Sequence, residues 1–263
     1  MLVSGRPHAQ TATCALRRAY RHAAPLPLRR ARWRIQNGVR YIFEDAVPAC
    51  ATLANYEQYW AEREASNDLA LSYAELVGLC AQRLAPGASV LDVGCGAGTL
   101  LRALQERCSV RGLGIDVSTR AVELARRNGV EARVCDVTRD DLHGLGRFDV
   151  ATLFEVCEHI PDPGHVLLTL RGMADRLFVS VPNTGHYLQR LRLLAGRFPR
   201  QWIVHPGEHL RYWTLRDFVV MAHQLGFAVD DVVPVRGHPI LARWQTSLFA
   251  ESLFFVLRPC QNQ

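Results

Sequence analysis

Ser89-Val90-Leu91-Asp92-Val93-Gly94-Cys95-Gly96-Ala97-Gly98-Thr99 is the stretch on which the fold turns. Its first five residues hold three large apolar side chains and a single acid, the pattern of a short buried strand. Three glycines follow at alternate positions, and Thr99 to Arg107 then has helical spacing. Glycines between a strand and a helix allow a tight turn and let a ligand lie on bare backbone. Upstream, Ala74 to Leu84 reads as a helix stopped by Pro86-Gly87. Downstream come a strand Val110 to Ile115, a helix capped by Ser118 that runs to about Asn128, and a strand Val130 to Val134. A strand Phe148 to Phe154, a helix Pro163 to Met173 and a strand Leu177 to Val181 continue the alternation. Strands and helices in this order predict βαβ units and a doubly wound, mostly parallel α/β sheet. The rhythm breaks after Pro182 and resumes with a helix Thr214 to Leu225, a strand Phe227 to Val235 and an apolar stretch Leu248 to Leu257.

Carboxylates stand at the strand ends where ligands bind in such a sheet. Asp116 closes Gly114-Ile115-Asp116 and can accept both hydroxyls of a ribose, or simply cap the next helix. Dinucleotide enzymes place an acid there too, but the spacing Gly94, Gly96, Gly98 is not their G-x-G-x-x-G.

Val90 to Gly98 resembles the first motif of class I S-adenosylmethionine (SAM)-dependent methyltransferases. Asp116-Val117, Cys135-Asp136-Val137 and the run Phe148-Asp149-Val150 to Phe154-Glu155 resemble that family's later motifs, in order. The resemblance covers roughly residues 72–235 and implies a Rossmann-like fold, a seven-stranded mostly parallel sheet with helices on both faces. It also implies an antiparallel last strand, for which Leu253 to Leu257 is the candidate. SAM is the implied cofactor and S-adenosylhomocysteine the product. Gly94 and Gly96 would lie under the methionine part, Asp116 on the ribose and Asp136 and Val137 by the adenine, with Asp92, Cys95 and Val117 also in the cofactor site. Phe154 and Glu155 would flank the methionine. Tyr59 or Arg63, in the aromatic run Tyr56-Glu57-Gln58-Tyr59-Trp60, would meet the SAM carboxylate; the alternative is an amphipathic helix packing its aromatics.

Glu155-Val156-Cys157-Glu158-His159 is similar to the E-x-x-E-H run of ubiquinone-pathway O-methyltransferases, which is associated with a divalent metal. Three readings stay open: a loop-closing role, His159 as a general base, and a metal held by Glu155, Glu158 and His159. No metal site is assigned from the sequence, and His159, backed by His186 and His209, is the candidate base. Residues 182–213 form the candidate substrate cap and carry His186, Tyr187, Trp202, His205, His209, Tyr212 and Trp213. Val-Ser-Val-Pro-Asn-x-Gly-His-Tyr, with Thr214 to Phe218, resembles the methyltransferase-23 / MetW-like group, although Arg200 to Arg211 departs from its pattern. The implied function is methyl transfer from SAM to a small-molecule acceptor, by way of a hydroxyl. The alternative is a non-catalytic, SAM-binding accessory protein.

Charge excludes one class of partner. The formal net charge is +6, yet residues 1–43 hold nine Arg and no acid, leaving 22 basic against 25 acidic residues in the body. A body of net charge −3 lacks a nucleic-acid footprint. Every basic residue is Arg, which fits coding bias in a GC-rich genome. The leader reads as disordered, residues 44–86 as a helical segment over the cofactor, and residues 87–263 as the SAM-binding domain. Eight scattered cysteines without a C-x-x-C pair suit a reduced, cytoplasmic protein, and no apolar run is long enough to span a membrane. A homodimer or a biosynthetic-enzyme partner is allowed.

Overall fold

The computed structural model describes residues 32–36, 39–43, 56–64, 70–199 and 209–260. Two units are distinguished, and the first contains only one described element pair. There β1 (Arg32–Gln36) and β2 (Val39–Phe43) pair antiparallel, with Gln36 opposite Val39. Both strands fall within the leader, residues 1–43. Asn37-Gly38 is the strongest two-residue hairpin signal, and it joins runs of alternating apolar residues. Residues 1–31 of the expected leader lie outside the described residues, as do Trp202 and His205 of the expected cap.

The second unit opens with α1 (Tyr56–Glu64) and α2 (Ala70–Ala81). The alternation then runs β3 (Ser89–Val93), α3 (Thr99–Cys108), β4 (Arg111–Asp116), α4 (Thr119–Arg127), β5 (Ala132–Val134) and β6 (Phe148–Phe154). It continues through α5 (Pro163–Arg171), β7 (Ala174–Pro182), α6 (Tyr187–Leu194), α7 (Leu215–Gln224) and β8 (Phe227–Gly237). Two single-turn helices, α8 (Leu241–Trp244) and α9 (Thr246–Phe249), precede β9 (Ala250–Pro259).

Among the described residues the main sheet has seven strands in the order β5-β4-β3-β6-β7-β9-β8. The first five are parallel, and β9 runs antiparallel to both β7 and β8. The expected strand Leu253 to Leu257 is the centre of β9. Its side chains alternate between two cores: Leu253, Phe255 and Leu257 face one side with α5 and α7, while Phe254 and Val256 face the other with α2 and α3. Burial on both faces explains why these strands read as continuous apolar runs rather than alternating ones.

Local signals set the helix starts. Ser118 accepts the Ala121 amide at 3.1 Å, Asp162 accepts that of His165 ahead of Pro163, and Thr214 and Asp217 form a capping box. One expectation needs revision. Residues 187–194, read as part of an irregular cap, form α6. No helix among the described residues is long and apolar enough to cross a membrane.

Candidate functional site

The carboxyl ends of β3, β4, β5 and β6 present the expected residues along one edge. Gly94, Gly96 and Gly98 all have positive φ, a conformation open to glycine at little cost. At Gly96 a Cβ would run into the Trp60 ring, so the loop must be bare where α1 crosses it. Gly114, on the neighbouring strand, leaves room for the Cys95 side chain: a Cβ there would lie 2.6 Å from Sγ. Cys95 is therefore buried, and it faces β4.

Asp116 fastens this loop. One carboxylate oxygen accepts the Gly96 amide at 2.9 Å and the other the Ser118 amide at 2.9 Å. A carboxylate offers about four lone-pair positions, so each oxygen can still accept a hydroxyl. Burial raises its pKa, while the Ser118 and Gly96 amides oppose the shift. Val117 follows it, and Val134 is its register partner on β5. Both are about half exposed, which is unusual for aliphatic side chains at a strand end and suits an apolar ring beside the acid. Val134 was not anticipated from the sequence. Val137 is half-buried nearby in sequence and packs against the core. Asp136 is occupied within its own turn: its carboxylate accepts the Thr138 amide and hydroxyl, and its amide donates to Asp140.

Asp92 is buried and accepts the Thr152 hydroxyl at 2.6 Å, from the residue opposite it on β6. Thr152 also escaped sequence reading, because only strand register pairs the two. Burial pushes the Asp92 carboxyl up to about 7, against the Thr152 bond and with the Asp116 charge adding. A carboxyl raised above its unfolded value stabilises the fold fully at low pH. That contribution is lost as pH rises from about 4 through 7. Asp92→Asn keeps the shape, so its stability advantage over wild type should widen by about 2–3 kcal/mol between pH 5 and pH 8. Thermal melts at the two pH values test this; an unchanging difference would show that Asp92 keeps an ordinary pKa.

The helix α1 covers the edge with Glu57, Tyr59 and Trp60. Glu57 accepts the Thr119 and Arg120 amides at 2.6 and 3.2 Å, an acid at the N-terminus of α4. Trp60 packs on Ala97 and Ala121 as well as over Gly96. Tyr59 stands edge-on to Trp60 at 5.6 Å, in the same cluster. Arg63 lies on this helix, and its side chain is outside the described residues.

After β6 the chain turns away from the expected arrangement. Phe154 points into the core against Phe254. Glu155 has a φ of +55° and turns toward β7, β8 and β9. Its carboxylate accepts the hydroxyls of Ser180 and Ser252 at 3.1 and 3.0 Å and pairs with Arg236 at 3.4 Å. It is Val156 that covers the glycine loop, with a methyl 2.6 Å from where a Gly94 Cβ would stand. Phe154 and Glu155 thus shape the edge through their backbone positions, since alternation along β6 and the three Glu155 partners direct both side chains inward.

A single turn of 3₁₀ helix, Cys157–His159, follows. Glu158 is buried at 1% exposure, and neither carboxylate oxygen has a hydrogen-bond partner among the described residues. Its carbonyl accepts the amides of Leu210 and Arg211, and this brings His209 opposite the turn. The rings of His159 and His209 lie 4.8 Å apart at 90°, and Nε2 of His159 is 3.9 Å from Glu158. Burial, aided by His159, lowers the His209 pKa to about 3 and leaves it neutral; burial, with Glu155 nearby, raises that of Glu158. His186 does not join them. It is buried at the start of α6 against Tyr187, because its amide closes a turn onto Asn183.

A family model for a methyltransferase domain matches residues 59–232. A protein described as an uncharacterized 37.1 kDa protein in transposon TN4556 of Streptomyces fradiae is 30% identical over 213 residues, 74% of this chain. The chain spans 56% of that relative's length. The ubiquinone biosynthesis O-methyltransferase of Pseudomonas paraeruginosa is 37% identical over 171 residues, 60% of this chain and 72% of that protein. A SAM-dependent methyltransferase from Thermotoga maritima superposes with a TM-score of 0.55 at 16% identity, covering 77% of this chain and 97% of its own. One from Clostridium acetobutylicum does so with 0.54 at 13%, covering 78% and 99%. At such identities the likeness is one of fold.

Proposed function

The chain belongs to the methyltransferase-domain family of class I SAM-dependent enzymes, and from that premise we propose that it methylates a hydroxyl of a small-molecule acceptor. One observation carries this reading. The same face of α1 rests Trp60 on the glycine loop and Tyr56 against His159, the latter at 6.2 Å edge-on. Residues four apart on a helix are neighbours about 5–6 Å apart. The glycine loop and the polar Glu158–His159–His209 cluster therefore meet one face of α1 at positions a single helical turn apart, which places a methyl donor and an acceptor side by side.

The residues present suit SAM. Gly94 to Gly98 and Asp92 would receive the methionine part, Asp116 the ribose hydroxyls, and Val117, Val134 and Val137 the adenine. SAM supplies an electrophilic methyl on its sulfonium, so the protein has to align the acceptor and accommodate the loss of its proton. His159, partly exposed where Glu158 is buried, is the group proposed to meet the acceptor. Relatives named O-methyltransferases support oxygen as the atom methylated.

The test is label transfer from methyl-tritiated SAM to matched panels of hydroxyl and amine compounds. Hydroxyl compounds should take the label, and His159→Ala should lower turnover by about 10²–10⁴-fold with SAM affinity retained. Label on the amines alone would overturn the reading.

A further inference from the structure

Glu158 poses a question that methyl transfer alone does not answer. A buried carboxylate without a partner costs several kcal/mol, and side chains left so are rare. The nearby guanidinium of Arg236 is committed elsewhere, bonded to Ser252 and paired with Glu155. His209 adds a second orphan: its Nδ1 is buried and also lacks a partner among the described residues. One ligating atom each from Glu158, His159 and His209 lies within 4.8 Å of the others. A carboxylate and two imidazoles converging in a buried place are a transition-metal donor set. Three protein ligands of this kind leave a coordination position open.

We propose that Glu158, His159 and His209 hold one divalent transition-metal ion of the zinc class, its open position facing the acceptor. The set differs from one read off the E-x-x-E-H run alone. Glu155 is withheld by Ser180, Ser252 and Arg236, and His209 takes its place from the return of the cap. The amides of Leu210 and Arg211 on the Glu158 carbonyl keep that third ligand in position. Insofar as the acceptor is a hydroxyl, which rests on the reading above, such an ion would lower the pKa of the oxygen that meets it. His159 would then act as a ligand rather than as a base.

Metal binding can be read without knowing the acceptor. The full chain, stripped with a chelator and titrated with Co²⁺, should bind one equivalent with a visible absorption band, and Zn²⁺ should displace it. His209→Ala and the isosteric Glu158→Gln should each weaken binding by at least about 100-fold, since loss of outer partners alone costs 10–100-fold. Glu155→Gln should keep the ion. Calorimetric titration with SAM on the same samples reports whether each variant is folded; if His209→Ala is not, Glu158→Gln decides. No stoichiometric ion in the wild type, or equal uptake by Glu158→Gln, overturns the proposal. Failure of the hydroxyl panel with the ion retained would overturn only the acceptor.

Discussion

Asp116→Ala is expected to abolish measurable SAM binding while the chain stays folded. Each hydroxyl accepted by a carboxylate is worth about 1.5–3 kcal/mol, because the bond is charge-assisted. Losing two costs about 3–6 kcal/mol, or roughly 10²–10⁴ in affinity. The structure adds a second effect in the same direction. Asp116 also accepts the Gly96 and Ser118 amides, so alanine leaves only the Gly94 and Cys95 amides on the Ile115 carbonyl to tie the glycine loop to β4. Stability should suffer less than affinity, because the buried carboxylate is itself held at a cost, as its raised pKa records. Calorimetric titration, with circular dichroism melts as the folding control, measures both quantities. Unchanged affinity would remove Asp116 from the cofactor site. Asp116→Asn, which retains one acceptor oxygen, should fall between the two.

Phe255→Ala should give the largest loss of stability among single changes to the last strand. Phe255 is fully buried in the middle of β9, between Val179 of β7 and Val232 of β8. Its ring stacks on Phe218 of α7 at 4.3 Å and 26°. Truncating such a side chain removes its transfer free energy and leaves a cavity that neighbouring strands cannot fill, about 3–5 kcal/mol in total. For a domain of this size that corresponds to a fall in Tm of about 10 °C, measurable by calorimetry. A loss below about 1 kcal/mol would mean that β9 is not packed as described. The same strand carries Ser252, so a repacked β9 should also loosen Glu155.

Much of this arrangement is legible in the amino acids because its causes are local. The strand Ser89 to Val93, the glycine turn and the helix from Thr99 follow from apolar patterning and backbone freedom over eleven residues. Ser118, Asp162 and Thr214 mark helix starts because a cap bonds an amide only three residues away. Asp116 at the end of β4 follows from the same alternation.

The site departs from sequence reading wherever a side chain's partner is far along the chain. Glu155 sits in the expected place, but Ser180, Ser252 and Arg236 determine where it points, and the last lies 81 residues away. His159 and His209 are paired because two amides beyond His209 find the Glu158 carbonyl. Trp60 meets the glycine loop because Glu57 pins α1 to the start of α4. The sequence by itself determined the order of strands and helices, the glycine loop and the acids at the strand ends, since hydrophobic period, caps and turns act over a few residues. Only the tertiary structure decided which side chains share the edge, because orientation there depends on hydrogen bonds between segments that the local pattern does not connect.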